Sequence, residues 1–197
     1  MMELEYSSSL NGASFLLFEL KQVVKLKRLG FSEEEIRNKV KEENLFQFSN
    51  PNRINRALPS VMRRGEVIDE TLADLILESS IDISKVINLY TIMKTDVLFY
   101  EFMNEVVSEK LHNNDFLLEK KDINVFFVNK AEQSNKVADW SEINLEKLKR
   151  AYMQVLFESG MLKNRRSNEL TRLFIDPQVK DHLIKIGDQS FLSAMGE

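Results

Sequence analysis

Cysteine is absent from the 197 residues, and with it go disulfides, thiolate nucleophiles and thiolate metal sites. Such a chain suits a reducing cytoplasm, the compartment expected here. No apolar run is long enough to span a bilayer. Phe15-Leu16-Leu17-Phe18 and Val125-Phe126-Phe127-Val128 fall far short of the ~20 residues required. The opening residues Met1-Met2-Glu3-Leu4-Glu5 carry acid where a secretory leader would carry Lys or Arg. No membrane association is expected. A surplus of positive charge is missing as well: the formal net charge of −4 argues against a protein that coats nucleic acid indiscriminately. Screening confines each charge to about 8–10 Å, so a local basic patch can still bind.

Catalytic signatures are missing too. There is no Gly-rich phosphate loop, no G-x-S-x-G elbow and no H-E-x-x-H. The two histidines, His112 and His182, stand apart and have no paired-ligand spacing. Acid clusters such as Glu33-Glu34-Glu35 and Asp69-Glu70 sit at helix starts, where the dipole favours them without any catalytic purpose. The chain is expected to be a non-enzyme, with no cofactor and no metal.

What is present is an ordinary globular balance of 43% hydrophobic and 29% charged residues, with helical periodicity throughout. Leu16, Leu20, Val23 and Val24 mark a helix over residues 14–29, stopped by Gly30. Ser32 and Glu35 form a capping box for a second helix ending near Glu43. Leu45, Phe46 and Phe48 are expected to plug the core from a short connection. Asp69, Asp82, Thr95 and Asp122 are placed as the starts of further helices in an apolar middle third. Its aromatic residues are read as core rather than as a stacking platform. Residues 132–139 are the best linker candidate. Ser141 or Asn144 caps a helix to about Ser159, and Asp176-Pro177 starts the last clear one.

One stretch stands out from this regular background. Asn50 caps a segment with Pro51 at its first position, where proline's missing N–H costs nothing. At 100° per residue Ile54, Leu58, Val61 and Met62 share an apolar stripe. Arg53, Arg56, Ser60, Arg63 and Arg64 fall opposite, with Asn52 and Asn55 nearby. Pro59 predicts a kink or break, and Gly65 an end. Helix, short connection, basic amphipathic helix is the layout of a helix-turn-helix. Arginine can read guanine edges and phosphates, and asparagine adenine. On pattern alone a merely solvated arginine face remains open. A second basic surplus lies over residues 146–172, where Lys147, Lys149, Arg150, Lys163, Arg165, Arg166 and Arg172 face only Glu146, Glu158 and Glu169. A second helix-turn-helix or winged-helix-like unit and a basic loop between packed helices are both compatible with it.

Three stretches give the chain a likeness to a known family. They are Tyr6-Ser7-Ser8-Ser9-Leu10-Asn11-Gly12-Ala13, then Glu43-Asn44-Leu45-Phe46-Gln47 with the Asn50-Pro51 helix, then Trp140-Ser141 leading to Val155-Leu156-Phe157-Glu158-Ser159-Gly160-Met161-Leu162. In order and spacing the chain resembles the BrxA family of the bacteriophage exclusion (BREX) defence systems. The resemblance implies an all-α cytoplasmic protein with two helix-turn-helix units that binds double-stranded DNA. It also implies service beside the system's methyltransferase, ATPase and phosphatase-like protein.

The expected architecture is therefore a compact all-α, multi-helix globule. Residues 1–68 form an N-terminal helix-turn-helix unit, 69–138 a central helical core, and 139–197 a C-terminal helix-turn-helix or winged-helix-like unit. Expected DNA contacts are Asn52, Arg53, Asn55, Arg56, Arg63, Arg64, Lys163, Arg165 and Arg166. A protein-interaction scaffold and an RNA-binding helical adaptor are the alternatives.

Overall fold

Short polar side chains set the helix starts. In the computed structural model, which describes residues 5–164 and 166–197, a 3₁₀ turn at Ser9–Asn11 leads to α1 (Leu17–Arg28), α2 (Glu33–Glu42) and α3 (Pro51–Glu66). Residues 1–4, read above for their acid, lie outside the described residues, as does Arg165. At α2 the expected capping box forms: the Ser32 hydroxyl accepts from the Glu35 N–H, and the Ser32 N–H donates to the Glu35 carboxylate at 2.8 Å. At α3 the Asn50 side chain accepts from the Asn52 N–H at 2.9 Å, with Pro51 at the first position. α1 starts later than its apolar spacing suggests, because Leu16 takes a left-handed φ of 50° and turns the chain there.

The chain continues through α4 (Glu70–Glu78), α5 (Ile81–Thr95), α6 (Val97–Phe102), a π-helical segment (Met103–Ser108) and α7 (Glu109–His112). Ser80 rather than Asp82 caps α5, and Asp96 rather than Thr95 caps α6. Then come α8 (Lys120–Gln133), α9 (Asn135–Ala138), α10 (Glu142–Ser159), α11 (Pro177–Lys185) and α12 (Gln189–Ala194). The expected linker at 132–139 is instead ordered as α9, with Val137 fully buried.

At the centre is α5, which packs on α1, α3, α4, α6, α10 and α12. A helix apolar on nearly every side must be surrounded. Its buried polar groups are all hydrogen-bonded: Asn88 donates to the Phe15 carbonyl at 2.7 Å, Thr91 to the Asn88 carbonyl at 2.8 Å, and Ser84 to the Ile76 carbonyl at 3.0 Å. Such partners remove the cost of burying them. Phe99, Phe102, Phe126, Phe127 and Tyr152 join α6, α8 and α10 in one ring cluster, with Phe99 and Tyr152 edge-to-face at 4.9 Å. These rings are core, as the sequence implies.

Among the described residues there is no extended strand, and the architecture is all-α. There is one small antiparallel patch of isolated bridges, Leu117 with Glu169 and Leu162 with Leu170. The Leu118 N–H donates to the Asn168 carbonyl at 3.0 Å, Leu170 to Phe116 at 2.7 Å and Lys163 to Glu169 at 3.0 Å. The segment after α10 thus turns back on itself as a hairpin and pairs with the segment just before α8.

α3 corrects one expectation. It runs unbroken from Pro51 to Glu66, past both Pro59 and Gly65. Pro59 sits on the exposed side. The carbonyl its ring leaves unpaired belongs to exposed Asn55, so water can satisfy it in place of the missing ladder bond.

Candidate nucleic-acid interface

The apolar stripe of α3 lands as expected, with Ile54, Leu58, Val61 and Met62 all buried. The opposite side is divided. Asn52, Arg53, Asn55, Arg56 and Arg63 are exposed, whereas Ser60 and Arg64 are buried. Arg64 is a correction to the expected contacts, since only 2% of it is exposed. Its guanidinium donates to the carbonyls of Phe15 and Ser14, both at 2.9 Å, and to that of Ala13. Eleven residues after Arg53 the helix has gone about three turns, which brings Arg64 back near the same angle but beneath the 13–15 loop. Burial pulls its pKa down to about 10, with the charge of Asp96 opposing the shift. It remains a cation, used to hold a loop.

Arg53 is held differently. Its guanidinium lies 4.1 Å from the centre of the Phe48 ring. Asn44, at a left-handed φ of 47°, brackets that phenylalanine by accepting from its N–H at 3.1 Å and donating to its carbonyl at 3.0 Å. The α2–α3 connection therefore builds the ring that supports Arg53. Nearby Glu19 is buried, and burial raises its pKa.

Two residues of the second basic stretch come to the same place. An open cleft of about 390 Å³ lies between the first turns of α3, the loop after the 3₁₀ turn, and the middle of α10. Arg53 and Arg56 line one wall, Lys147 and Arg150 the other, with no carboxylate between them. Among the described residues none of these four cations has an ion pair. Asn11 ties the floor of the cleft to the α10 wall, its amide donating to Oδ1 of Asn144 at 2.6 Å. The loop lies close to α3 at Gly12, where even a Cβ would meet that of Arg56 at an ordinary contact distance of 3.7 Å.

Lys147 and Arg150 escaped the expected site although their helix was foreseen. The signal was available: Leu148, Tyr152 and Val155 point inward, which forces Lys147, Arg150 and Gln154 outward. The residues chosen instead, Lys163 and Arg166, lie in the hairpin turn. Lys163 pairs with Glu169, and Arg166 is exposed. Neither lines the cleft. Arg165 lies outside the described residues.

Beyond α10 a second groove of about 450 Å³ opens towards α8 and the hairpin. Lys120, Asn124, Lys149, Arg150, Gln154 and Asn168 form its rim over a floor that includes Leu118, Ile123 and Leu162. Lys149 is spent there, pairing with Glu146 and donating to Asn124, each at 2.8 Å. No group of three or more metal-ligating side chains occurs among the described residues. His182 pairs with Asp69 at 2.7 Å, and Nδ1 of His112 lies 2.7 Å from the Ser108 carbonyl. No helix among them is long and apolar enough to cross a membrane.

The sequence pattern of the BrxA family matches residues 4–187. A BREX protein BrxA from Bacillus cereus (strain H3081.97) is 39% identical over 191 residues, covering 96% of each chain. The chain belongs to the BrxA family. BrxA proteins are components of BREX phage-defence systems, which agrees with the resemblance read from the three motif stretches. A crystal structure of an uncharacterized protein from Magnetospirillum magneticum shares the fold, with a TM-score of 0.85 over 96% of this chain and 97% of that one at 19% identity. BrxA membership fixes the system and the fold. The geometry above bears on what this member touches.

Proposed function

We propose that this BrxA protein is a non-catalytic accessory component of its BREX system that binds double-stranded DNA through the α3–α10 cleft. The observation that carries the reading is the convergence of Arg53, Arg56, Lys147 and Arg150, unpaired and free of intervening acid, in a chain whose net charge is −4. Crowding like charges is unfavourable unless an anion comes to them. Backbone phosphates are the anions that arginine and lysine meet in this arrangement.

Two units support duplex rather than generic anion binding. α2 and α3 follow the order of a helix-turn-helix. In the C-terminal half a helical run, the Leu117 bridge, α8, the four-residue α9, α10, the Leu162 bridge, a turn and the Leu170 bridge follow one another. That is the chain order of a winged helix-turn-helix, with its last strand in the middle of the small sheet. The protein would act in the cytoplasm beside the methyltransferase, ATPase and phosphatase-like components.

The test is a salt-titrated binding measurement on a duplex. Log affinity should fall with log salt by about 0.9 for each phosphate neutralised. Arg53→Glu with Arg56→Glu, and separately Lys147→Glu, should weaken binding and flatten that slope. Lys25→Glu with Lys41→Glu, exposed positions outside the cleft, should leave it unchanged. Equal loss in both sets would defeat the assignment. Structured RNA out-competing the duplex would favour the RNA adaptor instead.

A further inference from the structure

α10 is a ridge with a groove on either side. Lys147 and Ala151 face the cleft towards α3, Glu146, Lys149 and Met153 face the groove towards α8, and Arg150 and Gln154 line both. Residues four apart share a helix face, so Arg150 and Gln154 stand side by side on the crest, where the Gln154 amide donates to Glu158 one turn further on. An α-helix with its side chains is about 10–12 Å across, close to the ~12 Å width of the B-DNA major groove. A helix inserted there has one phosphate strand on each flank. The unpaired cations match that arrangement: Arg53, Arg56 and Lys147 on the first flank, Lys120 on the second.

Resting on the duplex-binding reading above, we propose a division of labour. α10 enters the major groove, with Arg150 and Gln154 on base edges. One phosphate strand lies in the α3–α10 cleft, and the other in the groove between α10, α8 and the hairpin. α3 is then a backbone clamp, and its Arg53 and Arg56 meet phosphates rather than bases. The support for Arg53 agrees with this role, since its guanidinium is stacked on Phe48 at the wall of the cleft. On the far flank the floor of Leu118, Ile123 and Leu162 suits the carbon edges of sugars, Lys149 offsets the Glu146 carboxylate on the α10 side, and Lys120 supplies the remaining charge. Arginine and glutamine are the side chains that make paired hydrogen bonds to guanine and adenine edges.

The absence of cysteine makes the test direct. Single-thiol variants Arg150→Cys, Gln154→Cys, Asn55→Cys, Arg56→Cys and Lys120→Cys are mixed with two duplexes. One carries a disulfide tether on cytosine N4, in the major groove; the other carries it on a backbone phosphorothioate. Arg150→Cys and Gln154→Cys should be trapped about tenfold more by the base tether, and Arg56→Cys and Lys120→Cys by the backbone tether. Trapping of Asn55→Cys or Arg56→Cys by the base tether, with the α10 thiols trapped only by the backbone, would reverse the roles and overturn the proposal. So would no trapping on α10 while the cysteine-free chain still binds the duplex. Failure of the cysteine-free chain to bind any duplex would instead defeat the duplex-binding reading itself.

Discussion

The side-chain amide of Asn11 donates to Oδ1 of Asn144 at 2.6 Å, pinning the loop after the first turn to the start of α10. From below, Arg64 of α3 holds the next stretch of the same loop by its carbonyls. One short segment is thus fastened to both basic helices, and it sets how far apart the walls of the cleft stand.

Removing the upper fastening should affect binding more than folding. Asn11→Ala gives up a partly buried hydrogen bond, about 1 kcal/mol of stability. It frees the loop to move between the arginines. The expected outcome is a small drop in Tm with a several-fold loss of duplex affinity. A loss of Tm with unaltered affinity would mean the loop does not shape the cleft.

The lower fastening should behave in the opposite way. Arg64→Met leaves three backbone carbonyls without their donor and takes from Asp96 the stronger of its two cationic neighbours, a loss on the order of 3 kcal/mol. Arg64→Lys should fare little better, because one ammonium cannot reproduce the guanidinium fork. Arg63→Ala, one residue away and exposed, should stay within about 0.5 kcal/mol of wild type. Urea melts of the three variants check the contrast.

Asp96 gives stability a pH dependence. Its carboxylate accepts from the Phe99 N–H at 3.0 Å and faces the Ser9 hydroxyl, with Arg64 and Arg63 as the charges around it. Burial pushes its pKa up to about 6. The folded state therefore holds that proton more tightly than the unfolded chain. The stabilisation is full below the ordinary aspartate value near 4 and is lost as pH rises through about 6. Asp96→Asn keeps a cap acceptor but removes the titration. Thermal melts from pH 4 to 7 should show a shallower fall in Tm for the variant, with Glu19, whose shift has the same sign, contributing to what remains.

Phe48 offers a subtler handle on the site. Phe48→Leu keeps an apolar plug but takes away the ring under Arg53, a contact worth about 0.5–1 kcal/mol. Duplex affinity is expected to fall about two- to fivefold, from the less ordered guanidinium. An Arg53→Ala background should abolish that effect, which a double-mutant cycle measures.

Much of this molecule was legible in its residues. The Ser32–Glu35 box, the Asn50-Pro51 start and the Gly30 stop, at a left-handed φ of 85°, are local devices, complete within a few positions, so sequence alone determined them. The apolar stripe of α3 likewise dictated which side is buried, and three motif stretches pointed to the family. Tertiary structure decided the rest. Helical angle set Arg64 in line with Arg53 three turns away, but only the 13–15 loop lying across α3 determined that one is buried and the other is not. Lys147 and Arg150 lie far along the chain from Arg53 and Arg56. Their convergence depends on α5, which packs against both α3 and α10, and no local pattern encodes that meeting. A cleft made by two distant helices becomes visible only when the shared core has brought them together.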